Sequence, residues 1–133
     1  MKYTQGLLVI LIIVEMLASI FIYQQSFNEN TFCVTGGNCK AVQSSIYGSF
    51  LNVPLSLWGI IAFSILLILW YLSYKNKIKK IYFTILTTIA GLIAISLIFI
   101  QFFILKLICG NCLLVDTIAI LIAIISLKEQ LRC

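Results

Sequence analysis

The chain has 133 residues, of which 62% are hydrophobic and only 10% charged, with a net charge of +5. A soluble domain is about 45–50% apolar and about 25% charged, so too few charges remain here to cover a water-facing surface. This excludes a cytosolic globular enzyme, a disordered tail and a nucleic-acid-binding domain. The lack of any His excludes histidine general bases and His-ligated metals.

Four apolar runs are long enough to cross a bilayer, which takes about 20 residues. They cover residues 6–23, 53–74, 81–105 and 107–127. The first carries one acid, Glu15, and the last carries Asp116; the middle two are uncharged. In lipid each backbone amide must be paired within its own segment, so every run reads as a helix despite its abundant Ile. The first run lacks a clear small-x-small site and carries Glu15 at mid-run, so a membrane helix is expected rather than a cleaved leader. Pro54 falls in the first turn of the second span, where its missing N–H costs nothing. The expected fold is an all-α integral membrane protein, a single four-helix bundle with one long outer loop over residues 24–52.

Orientation follows from the cations. Lys2, the run Lys75-Asn76-Lys77-Ile78-Lys79-Lys80, and Lys128 with Arg132 place seven of the nine basic residues on one side. That side is expected to be cytoplasmic, with both termini inside. The opposite side holds only Lys40 and Lys106.

This topology sorts the five cysteines. Cys33 and Cys39 fall in the first outer loop, and Cys109 and Cys112 at the outer end of the last span. All four face a compartment in which disulfides persist. Cys133 lies across a bilayer of about 30 Å and is out of their reach. Cys109-Gly110-Asn111-Cys112 is a C-x-x-C at a helix start, where free amides and the helix dipole favour a thiolate at the first sulfur. Lys106 lies beside it. Cys33 and Cys39 flank a glycine-containing loop, and a bridge there would reach both an outside partner and the C-x-x-C. Two such disulfides can pass electrons in sequence through a mixed disulfide. The same residues are also compatible with structural clips in a non-enzymatic scaffold or transporter subunit, or with a thiolate zinc site. Glu15 and Asp116 lie at comparable depth inside spans, where carboxyls are functional candidates by default. Tyr47, Trp58, Trp70 and Phe102 are candidate pocket aromatics, although Trp58 and Trp70 also suit interfacial packing.

Taken together the motifs are more specific. Cys33 and Cys39 are followed by Cys39-Lys-Ala-Val42-Gln-Ser-Ser45-Ile-Tyr47, then Asn52-Val-Pro54 with Gly59, and finally Cys109-Gly-Asn-Cys112. The arrangement resembles the vitamin K epoxide reductase family in its prokaryotic, disulfide-generating form, over nearly the whole chain. The resemblance implies a bundle around a quinone of the ubiquinone or menaquinone class, capped by a short half-helix near residues 39–47. It implies that Cys33 exchanges with an extracytoplasmic thioredoxin-like protein, that Cys39 attacks Cys109, and that Cys112 reduces the quinone. Ser45 takes the family's Ser/Thr position beside the quinone; of the candidate pocket aromatics, Tyr47 is the one expected to line the quinone site. Many members carry a fused thioredoxin-like domain; as this chain ends at Cys133, its partner is expected to be a separate protein. Animal members place a Tyr against the quinone carbonyl one turn after the second C-x-x-C cysteine, and here that position is Asp116. Another quinone-linked family of membrane thiol oxidases usually has its C-x-x-C in the first outer loop, the reverse of the order found here.

Overall fold

The computed structural model of the protein describes residues 2–27, 32–33 and 38–132. Four long helices, α1 (Lys2–Ser26), α3 (Leu55–Tyr74), α4 (Lys80–Phe99) and α5 (Gly110–Arg132), run up and down and form the bundle. A short helix, α2 (Cys39–Gln43), lies in the loop between α1 and α3. All four long helices are long and apolar enough to cross a membrane, α4 together with the helical turn that continues it.

The closest pairings are α4 with α5 and α1 with α3, and the ring is completed by α1 against α5 and α3 against α4. Small residues set these approaches. A Cβ on Gly91 of α4 would stand 2.7 Å from the Cβ of Ala123 on α5, and one on Gly59 of α3 would stand 3.1 Å from the Ser19 hydroxyl on α1. Lipid tails are as apolar as Leu, so helices in a membrane associate through such close packing rather than through water exclusion. The interior is built from Leu8, Ile12, Phe63, Leu66, Phe83, Ala94, Ala119 and Ile122. Ile, Leu and Phe side chains in quantity point outward. That inversion suits a lipid solvent. Hydroxyls within the helices return to their own backbone, as Ser64 does to the Ile60 carbonyl at 2.7 Å and Thr88 to that of Thr84 at 2.8 Å.

The ends of the bundle differ. At the lysine-rich end, Trp70 Nε1 donates to Gln5 Oε1 at 3.1 Å, and Gln5 Nε2 donates to Glu129. At the other end three local features depart from four plain spans. First, Ser49–Phe50 pairs with Val53–Pro54 in a small antiparallel hairpin. Its two-residue loop, Leu51-Asn52, has φ of 55° and 61°, the double left-handed geometry of a type I′ turn. Pro54 therefore sits in the hairpin and immediately precedes α3, rather than in that helix's first turn. Second, α4 passes into a π-helical turn, Ile100–Leu105, that stops at Lys106 with φ 51°. Third, α5 starts at Gly110, so residues 107–109 of the last apolar run are not helical and lead into the helix instead.

Candidate functional site

The start of α5 determines how the C-x-x-C is presented. The first four amides of a helix have no partner in its ladder. Here Leu113 N–H donates to the Cys109 carbonyl at 2.9 Å, which makes Cys109 the capping residue. Its sulfur then takes the role usually filled by a Ser or Asn oxygen, accepting the Cys112 N–H at 3.3 Å. Cys109 and Cys112 form a disulfide with Cα atoms 5.3 Å apart. Cys109 is 0% exposed, while Cys112 is half-buried. An amide donor and the positive end of the helix thus converge on the Cys109 sulfur, a setting that suits thiol–disulfide exchange.

The second disulfide joins Cys33 and Cys39, with Cα atoms 5.9 Å apart. Cys39 opens α2 and is 1% exposed; Cys33 is half-buried. Cys39, Val42 and Cys109 form one buried cluster, with Cys33, Leu105, Leu107 and Cys112 packed around it. All four sulfurs therefore meet at one end of the bundle, with Cys39 and Cys109 innermost.

Several contacts fix α2 in place. The Ser45 hydroxyl donates to the Val42 carbonyl at 2.6 Å, closing the C-terminal end of the helix. The chain then turns through Ile46–Gly48, with Gly48 N–H on the Ser45 carbonyl at 3.0 Å. A side chain at Gly48 would collide with the Val42 and Gln43 carbonyls, so glycine alone permits this fold-back. Trp58 Nε1 donates to the Phe50 carbonyl at 3.3 Å and ties the hairpin to α3.

Beneath the sulfurs lies a buried polar layer. Asn111, inside the C-x-x-C, donates to the Phe32 carbonyl at 2.8 Å and to Gln25 Oε1 at 3.3 Å. It pins the end of α1 and the approach to Cys33 against α5. Gln101 Oε1 accepts the Cys109 N–H at 3.3 Å, and Gln101 Nε2 lies 3.5 Å from Asp116 Oδ2. Asp116 is buried one turn beyond Cys112. Glu15 of α1 is 0% exposed, and both its oxygens lack a hydrogen-bond partner among the described residues.

Of the residues singled out in the sequence, Cys33, Cys39, Cys109 and Cys112 come together, with Asp116 below them. Ser45 lies beside the cluster, its hydroxyl directed to α2. Tyr47 is exposed on the turn after α2, and Phe102 is exposed on the π-helical turn. Trp70 lies at the opposite end of the bundle with Gln5 and Glu129, which removes it from the pocket aromatics. Cys133 lies outside the described residues. Sequence reasoning missed Gln101, Asn111 and Gln25. A usable signal existed for the first: Gln101 is the lone amide in the uncharged run 81–105, where a polar group needs an interior partner.

The profile of the vitamin K epoxide reductase family matches residues 6–127. Comparison with curated proteins and with solved structures finds no match. Four membrane-length helices, two disulfide pairs at one end and a match across nearly the whole chain agree, and the chain belongs to the vitamin K epoxide reductase family of membrane disulfide oxidoreductases.

Proposed function

We propose that this oxidoreductase generates disulfides in a separate thioredoxin-like protein and passes the electrons to a membrane quinone. The observation that carries the reading is the shared cluster of Cys39 and Cys109, which joins one disulfide to the other. A partner thiolate attacks Cys33 of the Cys33–Cys39 bridge and frees the Cys39 thiolate; the partner's second thiol then resolves the mixed disulfide and leaves as a disulfide. Cys39 attacks Cys109, and the Cys109–Cys112 bond breaks with its electron pair on Cys112. Cys33 then attacks Cys39, which restores the outer bridge and leaves Cys109 and Cys112 as a dithiol.

A bound quinone supplies a two-electron, two-proton acceptor for that dithiol. The residues fit such a group in chemical type. Cys112 is the more accessible residue of its pair, the buried Asp116 carboxyl lies one turn away on the same helix face, and Ser45 and Tyr47 follow directly after α2. The protein's part is to hold the sulfurs in line and to keep water from the inner pair. The charge distribution supports an orientation with both termini and the lysine-rich end in the cytoplasm and the four sulfurs outside.

The test is oxidation of a reduced thioredoxin-like protein by the purified chain in lipid nanodiscs, with ubiquinone or menaquinone analogues and Cys112→Ala alongside. Turnover by the native chain and none by the variant is expected. No turnover with any quinone, together with bridges that resist mild reductant, would move the protein to a scaffold with structural disulfides.

A further inference from the structure

Gln101 makes two contacts that together span the reactive pair. Its side chain is 5% exposed, carried inward on the π-helical turn Ile100–Leu105. Such turns shift the register of a helix and mark functional sites more often than plain helix does. The orientation of the amide is set by chemistry. The Cys109 backbone N–H can only donate, so the atom facing it must be Oε1, at 3.3 Å. Nε2 is then turned toward Asp116 Oδ2, at 3.5 Å, which accepts. One side chain thereby links the residue that caps α5 to the carboxyl one turn beyond Cys112. The Cys109 N–H precedes the helix and is not used by its ladder, so without Gln101 it would be a buried donor with no partner.

We propose that Gln101 is a positioning residue that holds Cys109 at the cap of α5 and Asp116 below Cys112 when the Cys109–Cys112 bridge is open. The inference rests on the redox reading of that pair. While the bridge is closed, the covalent bond itself fixes Cys109 relative to Cys112. Once it is open, the hydrogen bonds to Gln101 take over that task. Gln101 therefore contributes more to the ordered dithiol state than to the disulfide state, and its loss shifts the pair toward the disulfide.

The experiment equilibrates the full-length protein in nanodiscs, without added quinone, in dithiothreitol redox buffers. The redox state of Cys109–Cys112 is read by alkylation and peptide mass spectrometry. Three variants separate the contacts. Gln101→Met keeps the shape and loses both contacts; Gln101→Glu keeps the acceptor for Cys109 and loses the donor to Asp116. The double variant Gln101→Glu/Asp116→Asn restores a donor–acceptor pair with the roles exchanged. Gln101→Met is expected to shift the dithiol–disulfide equilibrium toward the disulfide by about tenfold, or about 30 mV for two electrons. Gln101→Glu should shift it less, and the double variant should return to within about threefold of the native value. A Gln101→Met protein that equilibrates as the native chain does would overturn the proposal. So would a double variant no closer to native than Gln101→Glu alone, and this comparison decides the matter if Gln101→Met does not fold. A native Cys109–Cys112 pair that never exchanges with the buffer would instead overturn the redox reading itself.

Discussion

Cys39 and Cys109, one from the first inter-helix loop and one from the cap of the last helix, are buried together against Val42. A relay between two disulfides needs this adjacency, because thiol exchange proceeds only through direct sulfur–sulfur attack. The double variant Cys33→Ser/Cys112→Ser leaves these two thiols without their native partners. It is expected to form the Cys39–Cys109 bridge on mild oxidation. Peptide mapping without reductant checks this: predominant free thiols, or intermolecular dimers through either cysteine, would count against the adjacency.

Asn111 positions the outer loop. Its amide spans from α5 to the Phe32 carbonyl, one residue before Cys33, and to Gln25 near the end of α1. Asn111→Leu removes these contacts and takes a partner from the buried Gln25 amide, at a cost of about 1–3 kcal/mol, while the carbonyl of the exposed Phe32 can turn to solvent. The loop is therefore expected to loosen and transfer between the disulfides to slow by about tenfold or more. Hydrogen exchange should show reduced protection confined to the end of α1. The measurement is the rate at which Cys109–Cys112 becomes reduced after the outer pair is reduced; a native rate would mean that the α2 contacts alone hold the loop.

Much of the bundle was legible in the sequence because the bilayer enforces it. Runs of about 20 apolar residues can satisfy their backbone only as helices, which accounts for α3 and α4 within residues 53–74 and 81–105, although Val53–Pro54 joins the hairpin and Ile100–Leu105 winds as a π-helical turn. The four sulfurs were legible because their positions relative to the spans put them at one end. The local irregularities were not. The π-helical turn at Ile100–Leu105 and the left-handed Lys106 carry no distinct residue signature in an apolar run. The Leu51-Asn52 hairpin replaces the Gly usually seen in a type I′ turn with a Leu–Asn pair. Gln101 is marked in the sequence as the lone amide of residues 81–105, but its aim at Cys109 comes from the π-helical turn, which the sequence does not show.

Gly91 offers a test of the helix packing away from the sulfurs. With Ala123 facing it, even one methyl group would overlap at 2.7 Å. Gly91→Leu is expected to force α4 and α5 apart and destabilise the protein by about 1–3 kcal/mol or more. Gly91→Ala should cost less, and the pair Gly91→Ala/Ala123→Gly should recover most of the loss. Thermal unfolding in detergent provides the measurement. Equal stability of Gly91→Ala and Gly91→Leu would indicate that α4 and α5 do not approach through this pair.

Glu15 and Gln43 are the two side chains among the described residues whose buried polar atoms find no hydrogen-bond partner, and Glu15 lies inside a span. Its carboxyl is wholly buried in α1, which packs against α5, the helix that carries Asp116, and has no hydrogen-bond partner there. A buried polar group without a partner costs about 1–3 kcal/mol, whereas an apolar side chain of similar volume carries no such penalty. Glu15→Leu is therefore expected to raise the thermal unfolding temperature in detergent, and Glu15→Gln to change it little. Glu15→Lys would bring a cation toward Asp116 and report on the approach of the two side chains. If it is tolerated, further substitution of Asp116→Asn in that background should destabilise it by about 3–5 kcal/mol, because it would strand a buried charge. A Glu15→Leu protein less stable than the native chain would mean that the carboxyl holds the helices together through a contact beyond the described residues. A more stable protein that has lost quinone-dependent turnover would show that Glu15 is retained for the reaction at the expense of the fold.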